Sequence, residues 1–346
     1  MTIPFFSIVM PAYNCESTVS VTLDSILAQI WNDYELIIIN DGSTDNTLMV
    51  LENYAKRDNR IKIISKQNGG PGSARNTGIK NAKGKYLYLM DSDDALPLET
   101  LKKFATYLIK DNPDLIVSSY QLNVLDGEDV VDKRIIKADK KWIKSNESFL
   151  NNIHELMEKQ LMYVIWNKVY KLDIIRKHAI QFPHYSSCED RLFNLAYYEH
   201  VNTCQLSSEV LYYYSFDGKN SLTNKYLPNK FETFEEFYLN LLKLTDKNKD
   251  ISSALFLKGT MSCIIPLHSQ SCYLSMREKR SEIKTILTNK SVIEASRLSA
   301  KNTLIRKVMA ALFRSKSVTI NFIASLLMFY TSQLSPKLIE KLKGNF

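Results

Sequence analysis

The segment ELIIINDGSTD (residues 35–45) passes from a short, isoleucine-rich run directly into an acidic turn that contains glycine. The apolar run is too short for a typical helix and is rich in β-branched residues, so it predicts a buried strand. The same change of character occurs in FFSIVMPAYN (residues 5–14) and in YLYLMDSDD (residues 86–94). Apolar runs that repeatedly end in polar turns are typical of the strands of an α/β sheet.

The first 120 residues alternate between apolar runs and amphipathic segments. The predicted strands are Phe5–Met10, Glu35–Asn40, Ile61–Ser65, Tyr86–Met90 and Asp114–Ser118. The predicted helices are Ser17–Gln29, Asp45–Lys56, Gly72–Ala82 and Glu99–Lys110, with Ser17 as the first N-cap and Ser43 or Thr44 as the second. This alternation predicts an α/β fold with a doubly wound, mainly parallel sheet and helices on both faces.

The later part of the chain has a different pattern. Residues 121–143 are polar and rich in charge, which we interpret as a hairpin, and helical spacing returns at residues 148–160 and 187–200. From Asn229 onward the pattern is mostly helical. We therefore predict an α/β domain over residues 1–225 and a helical, basic C-terminal region over residues 226–346.

The net charge of +8 is unevenly distributed along the chain. Residues 276–346 contain 14 Lys and Arg against 4 Asp and Glu, so the remaining 275 residues carry a net charge of −2. This distribution argues against a nucleic-acid-binding face on the first domain. It predicts that the C-terminal region meets an anionic surface.

The five cysteines have irregular spacings that fit neither a disulfide framework nor a metal-binding motif. The N-terminus runs into an apolar strand without a basic segment or a cleavage site of small residues. We therefore expect no secretory signal and a reducing, cytoplasmic location.

The ends of the predicted strands carry the residues most suited to chemistry. Ligands of open α/β sheets bind beyond the carboxyl ends of the strands. Here the first strand ends in Pro11-Ala12-Tyr13, the second in Asp41 and the fourth in Asp91-Ser92-Asp93. Carboxylates and an aromatic ring delivered to one sheet edge predict a binding site there.

Four motifs, PAYN, NDGSTDNT, NGGPGSARNTGI and MDSDD, occur in this order within about residues 5–95. Together they resemble the nucleotide-binding half of family 2 glycosyltransferases of the GT-A fold. WNKVY (residues 166–170) and CED (residues 188–190) are similar to acceptor-side motifs of that family. The resemblance implies sugar transfer from a nucleotide sugar with inversion at the anomeric carbon and with Mn²⁺ or Mg²⁺.

Several residues are assigned to the nucleotide sugar on this basis. Tyr13 follows Pro11 and Ala12 out of the sheet, so its ring can stack on uracil or thymine, although a Tyr that only covers the sheet edge fits too. Asp41 would accept the pyrimidine N3–H, or serve only as a turn carboxylate. Arg75 lies in a glycine-rich turn from which it would reach the base or the phosphates, which alone is a weak signal.

The acidic turn at residues 91–94 predicts the metal site. Hard oxygen ligands suit Mg²⁺ or Mn²⁺, and a strand that ends in three acids within four residues is electrostatically unfavourable without a cation. The resemblance implies that Asp91, with Ser92 beside it, contacts the nucleotide sugar at its ribose and that Asp93 binds the metal. The alternative is an acidic turn that only caps a helix.

The acceptor side is predicted from the two later motifs. By resemblance Asp190 is the general base and Glu189 orients it or binds the acceptor, while Trp166 and Lys168 lie on the acceptor side. Ser186 or Ser187 is the predicted helix cap before this acidic pair. Both acids then fall in the first turn of a helix, where they could merely complement the helix dipole, and that dipole would keep Asp190 ionised.

Residues 317–336 contain no charged residue. The apolar residues recur at helical spacing, at Ile320, Ile323, Leu327, Tyr330 and Leu334. Asn321, Ser325 and Ser332 fall on the opposite stripe, and Lys337, Lys341 and Lys343 follow the segment. We predict an amphipathic helix in a membrane interface, held by anionic lipids. Packing on its own domain or on another subunit is the alternative. A membrane span is disfavoured by the polar residues.

Taken together, the residues and the resemblance predict a metal-dependent, inverting glycosyltransferase. The donor is a UDP-sugar, with a dTDP-sugar as second choice. The acceptor is a hydroxyl of a glycan carried on a polyprenyl diphosphate, in surface polysaccharide synthesis at the inner face of the cell membrane. A protein-bound glycan is the alternative acceptor. The sequence leaves open whether the protein forms a homo-oligomer. The alternatives are a nucleotidyltransferase and a non-catalytic module that binds nucleotide sugars.

Overall fold

The computed structural model describes residues 3–127, 129–217, 225–299 and 302–334. The chain divides into two compact units, residues 1–216 (unit 1) and residues 217–346 (unit 2). The boundary predicted near residue 225 falls directly after residues 218–224, which lie outside the described part. The two predicted domains therefore remain a prediction, although the change in architecture occurs in this part of the chain.

Unit 1 is built from alternating strands and helices. Its strands are β1 (Phe6–Ala12), β2 (Tyr34–Asn40), β3 (Ile61–Ser65), β4 (Tyr86–Leu89), β5 (Leu115–Asp126), β6 (Asp129–Ile136), β7 (Lys141–Ile143), β8 (Lys168–Lys171) and β9 (Cys204–Asp217). Its helices are α1 (Val19–Leu27), α2 (Thr47–Ala55), α3 (Gly70–Asn81), α4 (Thr100–Asp111), α5 (Asn146–Glu158), α6 (Leu172–Lys177) and α7 (Glu189–Tyr198). The predicted α/β class is confirmed.

The strands form one mixed sheet in the order β3-β2-β1-β4-β8-β5-β9-β7, with β6 paired to β5. The first four strands are parallel, as predicted. The fifth predicted strand does not continue that series, because β8 lies between β4 and β5 and is antiparallel to both. The hairpin predicted for the charge-rich stretch is the antiparallel pair β5 and β6.

The central strands are buried along their length, as expected for parallel strands that are covered on both faces. Each fully buried large aliphatic side chain of this kind contributes about 1.5–3 kcal/mol relative to an exposed one. Helix α3 packs especially close to β1, since a side chain at Gly78 would overlap Val9. This close approach fixes α3, and with it Arg75, against the sheet.

The predicted helix caps of unit 1 are wrong. Helix α1 begins after Thr18, α2 after Asn46 and α7 after Cys188, and none of these three side chains caps its helix. The predicted cap Ser43 instead accepts a hydrogen bond from the backbone N–H of Asn14, at 3.2 Å. The Ser43 hydroxyl thus takes part in a contact between two loops and does not cap α2.

Unit 2 is helical in its described residues. Its helices are α8 (Lys230–Leu244), α9 (Lys249–Ile264), α10 (Met276–Thr288), α11 (Lys290–Leu298), α12 (Leu304–Arg314) and α13 (Val318–Leu334), and a 3-10 turn (Ile265–His268) follows α9. The predicted helical C-terminal region is confirmed. The part of the predicted amphipathic segment that follows residue 334, with Lys337, Lys341 and Lys343, lies outside the described residues.

Among the described residues, the helical stretch Lys249–His268 has the length and hydropathy that crossing a membrane requires. However, 61% of its apolar window is buried inside the protein. Helix α9 contacts α8, α11 and α12 in unit 2, which is the behaviour of a core helix.

Candidate active site

The carboxyl ends of β1, β2 and β4 lie side by side, because these strands are adjacent and parallel. The segments that follow these strands are joined by hydrogen bonds. The Asn14 Oδ1 accepts from the backbone N–H of Thr44 at 2.8 Å, and the hydroxyl of Thr22, on α1, donates to the Ser92 carbonyl at 3.0 Å. The strand ends quoted from the sequence therefore meet at one sheet edge. Pro11 and Ala12 close β1 at this edge, with Ala12 fully buried.

Tyr13 is the exposed aromatic residue of this edge. Its side chain is 51% exposed, although large aromatic side chains are usually covered. The ring is thus available to stack on a planar ligand, as predicted from the sequence. Its role with a base remains a prediction.

Asp41 is buried, and its carboxylate is held by the beginning of α3. It accepts hydrogen bonds from the backbone N–H groups of Gly69 and Gly70 at 3.1 and 2.8 Å, and Lys66 Nζ donates to it at 2.8 Å. The carboxylate is therefore oriented before any ligand binds. The sequence analysis missed Lys66, although a cation directly after β3, at the same edge, was a usable signal.

Arg75 lies at the centre of a charged cluster that joins distant parts of the chain. Its Nη2 donates to Asp91 at 2.7 Å, and its Nη1 donates to Asp190 at 2.9 Å and to Glu189 at 3.4 Å. We call Arg75, Asp91, Glu189 and Asp190 the Arg75 cluster. Arg75 is only 4% exposed. Although burial favours the neutral form, the three carboxylates raise the pKa of Arg75, so it stays charged.

This arrangement changes the interpretation of Arg75. The sequence predicted that the Arg75 side chain contacts the base or the phosphates. In the structure both of its Nη atoms bind carboxylates. A contact to the nucleotide sugar stays a prediction. The observed contacts link Asp91, at the end of β4, with the acidic pair at the start of α7. The Arg75 guanidinium thus binds both a residue predicted for the donor side, Asp91, and the two acids predicted for the acceptor side.

Asp190 has a raised pKa, opposite to the effect expected from the helix dipole. Burial is the first cause, and the nearby charges of Glu189 and Asp91 add to it against the opposing effect of Arg75, so that the pKa lies at about 7. One guanidinium cannot neutralise three carboxylates, and the cluster keeps an excess negative charge that favours a proton on Asp190. A carboxylate with a pKa near neutrality is well matched to general base catalysis.

In the acidic turn after β4, the neighbouring carboxylates of Asp93 and Asp94 lie in different environments. Asp93 is exposed, yet the crowding of protein atoms around it and then the charge of Asp91 raise its pKa to about 6. Asp94 is buried, where its carboxylate accepts from the Tyr212 hydroxyl at 2.6 Å and from the Ser215 backbone N–H at 2.8 Å. Asp94 therefore anchors the turn to β9, whereas the neighbouring Asp93 stays exposed.

The sequence analysis did not single out this anchor. Burial first, and then the charges of Asp93 and Asp91, raise the pKa of Asp94 well above its ordinary value. The Tyr212 hydroxyl also accepts from the backbone N–H of Asp91, at 3.3 Å. Tyr212 thus contacts both ends of the acidic turn and fixes the position from which Asp93 projects.

The predicted acceptor contacts of Trp166 and Lys168 need correction. Lys168 is fully buried, and its Nζ donates to the Leu161 and Val164 carbonyls at 2.6 Å. Burial lowers the pKa of Lys168 well below its ordinary value. Trp166 is buried in a stack with Tyr212, at a centroid distance of 4.4 Å. Trp166 thus packs beneath Tyr212, and neither Trp166 nor Lys168 is exposed to an acceptor.

The family resemblance implies a divalent cation. The acidic turn fits a cation site to which the protein gives few ligands and the substrate gives the others. Within the described residues, no group of three or more His, Cys, Asp and Glu side chains is arranged to hold a metal. However, Mg²⁺ commonly binds to one or two carboxylates and takes its other ligands from water and substrate phosphates. Exposed Asp93, close in sequence to Asp91, suits a site that the substrate completes.

Comparison with known proteins gives a consistent result. The family model "Glycosyl transferase family 2" matches residues 7–179, half of the chain. The poly(ribitol-phosphate) beta-N-acetylglucosaminyltransferase TarP of Staphylococcus aureus (strain N315) is 31% identical over 248 residues, which are 68% of this chain and 72% of that protein. The uncharacterized glycosyltransferase EpsJ of Bacillus subtilis (strain 168) is 29% identical over 238 residues, 68% of each chain.

A solved structure supports the fold. The crystal structure of S. aureus TarS 1–349 in complex with UDP-GlcNAc matches with a TM-score of 0.69 and covers 95% of this chain and 92% of that chain. The sequence identity between the two is 21%. This likeness confirms the GT-A type of fold that the sequence motifs predicted.

Proposed function

Because this chain belongs to glycosyl transferase family 2, we propose that it transfers a sugar from a UDP-sugar to a hydroxyl of a glycan acceptor, with inversion and with a divalent cation. The UDP-GlcNAc bound to the similar TarS structure supports a UDP-sugar over a dTDP-sugar. The poly(ribitol-phosphate) transferases among its relatives support a role in surface polymer synthesis. A lipid-linked acceptor at the inner membrane face belongs to the same proposal.

The Arg75 cluster is the observation that carries this proposal. An inverting transfer needs a base beside the acceptor and a separate set of groups that hold the leaving nucleotide. Arg75 joins Asp91, a candidate donor contact, to Asp190, the candidate base, through hydrogen bonds of 2.7 and 2.9 Å. A module that only binds nucleotide sugars would have no need of this connection.

In the proposed reaction, the donor lies along the sheet edge. Tyr13 stacks on the pyrimidine, Asp41 accepts the base N–H, and Asp91 holds the ribose. Asp41 would keep the orientation that α3 and Lys66 give it, so its side chain loses little conformational freedom when the base binds. The orientation of Asp41 that the proposed base contact requires is thus already present.

A cation bound by Asp93 would neutralise negative charge on the departing diphosphate. The chain's own part is to direct Asp93 into the site, since Asp94 and Tyr212 hold the acidic turn to β9. Ser92, whose carbonyl accepts from the Thr22 hydroxyl, is fixed in the same turn. We assign Mn²⁺ or Mg²⁺ to this position on the chemistry of the carboxylate.

The chemical step requires one proton transfer. The acceptor oxygen attacks the anomeric carbon while the bond from that carbon to the diphosphate oxygen breaks, and Asp190 takes the acceptor's proton. UDP leaves with the electrons of the broken bond. Glu189, which shares Arg75 with Asp190, keeps the base oriented in this proposal. No protein nucleophile is needed, because the configuration inverts in a single displacement.

The decisive experiment measures UDP release by the full chain from UDP-GlcNAc and other UDP-sugars. Each reaction is run with Mn²⁺, with Mg²⁺ and with EDTA, with and without a glycan acceptor. We expect release that depends on the metal and increases with acceptor. Pyrophosphate release from UTP and a sugar phosphate would instead identify a nucleotidyltransferase. Nucleotide-sugar binding without UDP release under any of these conditions would identify a non-catalytic module.

A further inference from the structure

Helix α13 exposes a row of large apolar side chains. Ile320, Ile323, Leu327 and Tyr330 are 49%, 50%, 63% and 57% exposed. Their spacing of three and four residues places them along one side of the helix. We call these four residues the apolar face. Soluble proteins seldom leave such a continuous row uncovered, because apolar surface is unfavourable in water.

The polar side of α13 is turned into unit 2. Asn321 and Ser325 are fully buried. Asn321 Nδ2 donates to the Leu312 carbonyl at 2.9 Å, and the Ser325 hydroxyl lies 2.8 Å from His268 Nε2. The Phe322 ring packs edge-on against His268. These contacts fix the rotation of the helix, so turning the apolar face inward would break them.

The charged residues that flank this helix in the sequence are of one sign. Between Glu294 and Glu340 the sequence contains no acidic residue and seven Lys or Arg. Lys307, Arg314 and Lys316, which precede α13, are exposed. These exposed basic residues, which flank α13 in the sequence, complement an anionic surface. A partner that is apolar inside and anionic at its boundary matches both features.

We propose that α13 lies in the interface of an anionic phospholipid bilayer, with its apolar face among the acyl chains and the neighbouring basic side chains at the phosphate headgroups. The 17 residues of α13 extend for about 25 Å at a rise of about 1.5 Å per residue. The inward side of the helix stays packed on unit 2, so the helix lies along the bilayer surface and does not span it. This inference goes beyond sugar transfer and does not depend on it.

The test is flotation of the full chain with vesicles of phosphatidylcholine and phosphatidylglycerol, compared with vesicles of phosphatidylcholine alone. We expect binding that is stronger to the anionic vesicles and weaker at high salt. Changing Ile323→Asp together with Leu327→Asp should reduce the bound fraction about tenfold or more, since two apolar side chains that would enter the acyl region become charged. Both positions are exposed in the folded protein, so the variant should fold.

The matched control is Ile109→Asp, which also changes an exposed isoleucine, on α4 of unit 1. It should float as the wild type does. Absence of vesicle binding by the wild type, or equal binding by the double variant, would overturn the proposal. So would a wild-type oligomer that the double variant dissociates in solution without any effect on vesicles, because the apolar face would then join two copies.

UDP release to a water-soluble acceptor, measured on the same variants, separates this inference from the proposed function. The double variant should release UDP at the wild-type rate, since α13 contributes no residue to the Arg75 cluster. Vesicle binding without UDP release would uphold the membrane surface and contradict the proposed activity. UDP release without vesicle binding would do the reverse.

Discussion

Two regions of this protein reverse the usual rule that polar side chains face water and apolar ones face the core, and they do so differently. At the sheet edge, Arg75 and Asp41 are buried with charged partners. On α13, Asn321 and Ser325 are buried, and in addition the apolar face is exposed. The sheet edge buries charge, whereas α13 exposes hydrocarbon.

The difference indicates which kind of ligand or partner would stabilise each region. Buried charges are costly unless they are paired, and those of the sheet edge are paired within unit 1. The remaining imbalance there is an excess of carboxylates around Arg75, which a substrate proton or a cation can relieve. The imbalance on α13 is apolar area, which only another apolar phase can relieve. The first region is therefore suited to chemistry and the second to attachment.

The strongest test of the sheet edge is Asp190→Asn. The amide keeps the size of the side chain and can still bind Arg75, but it cannot take the acceptor's proton. Turnover should fall by a factor of about 10² or more, while the affinity for the UDP-sugar stays near that of the wild type. Steady-state kinetics and calorimetric titration of the donor measure the two quantities.

Glu189→Gln is the matched variant, since Glu189 shares the same guanidinium. It should affect the acceptor KM more than turnover. If Asp190→Asn turns over within a few-fold of wild type and Glu189→Gln is inactive, the assignment of the base is reversed. If both variants stay active, the Arg75 cluster is structural, and the sheet edge can no longer be distinguished from α13 by a role in catalysis.

The pH dependence of catalysis provides a second test. Because the pKa of Asp190 is raised to about 7, its carboxyl group is protonated below that pH and cannot act as a base. We therefore expect kcat/KM to rise with pH and to fall about tenfold for each unit below about pH 7. Initial rates over this range check the sign. A rate that is constant down to about pH 5 would contradict a raised pKa at the base.

The metal prediction concerns the exposed carboxylate of the same edge. Asp93→Asn should weaken binding of the UDP-sugar about tenfold or more in Mn²⁺, as expected when one ionic contact is lost. Without a metal, the variant and the wild type should bind alike. Asp173→Asn, an exposed acid on α6, is the control and should have no effect. Turnover by the wild type that is insensitive to EDTA would exclude the metal role.

The sequence predicted the parts of this edge that depend on local pattern. Apolar runs with polar ends gave β1 to β4, and adjacent parallel strands bring their ends together. The contacts of Arg75 with Glu189 and Asp190 could not be predicted, since they join residues more than one hundred positions apart. The placement of β8 between β4 and β5 has the same long-range origin.

Burial also escaped prediction from motifs. WNKVY names residue types but not their environment. Lys168 is buried, and the carbonyl oxygens of Leu161 and Val164 accept hydrogen bonds from its Nζ. On α13 the periodicity predicted two faces correctly. It could not indicate that His268 would hold Ser325 and so turn the polar face inward. Which side of an amphipathic helix is buried depends on its neighbours.

A smaller effect is expected at the nucleotide base. Tyr13→Ala should weaken UDP binding by roughly 1–3 kcal/mol, by analogy with the loss of one aromatic stacking contact on a base. Since Tyr13 is exposed, the change should not affect folding. Calorimetric titration with UDP measures the loss, and Tyr185→Ala, another exposed tyrosine of unit 1, serves as control. Unchanged UDP affinity would put the base elsewhere.

The smallest expected effect is at α13, and it tests the apolar side of the comparison. If Leu327 contacts mainly water in the free protein, Leu327→Ala should change the free energy of unfolding by no more than about 0.5 kcal/mol. The same substitution at fully buried Leu257 of α9 should cost about 2–5 kcal/mol. Both changes exchange leucine for alanine within a helix of unit 2, so helix propensity cancels and burial remains. Urea unfolding without vesicles, with the m-value as a check on the unfolded state, measures the pair. A cost above about 2 kcal/mol at Leu327 would mean that the apolar face is covered in solution, and the free surface that a bilayer requires would be absent.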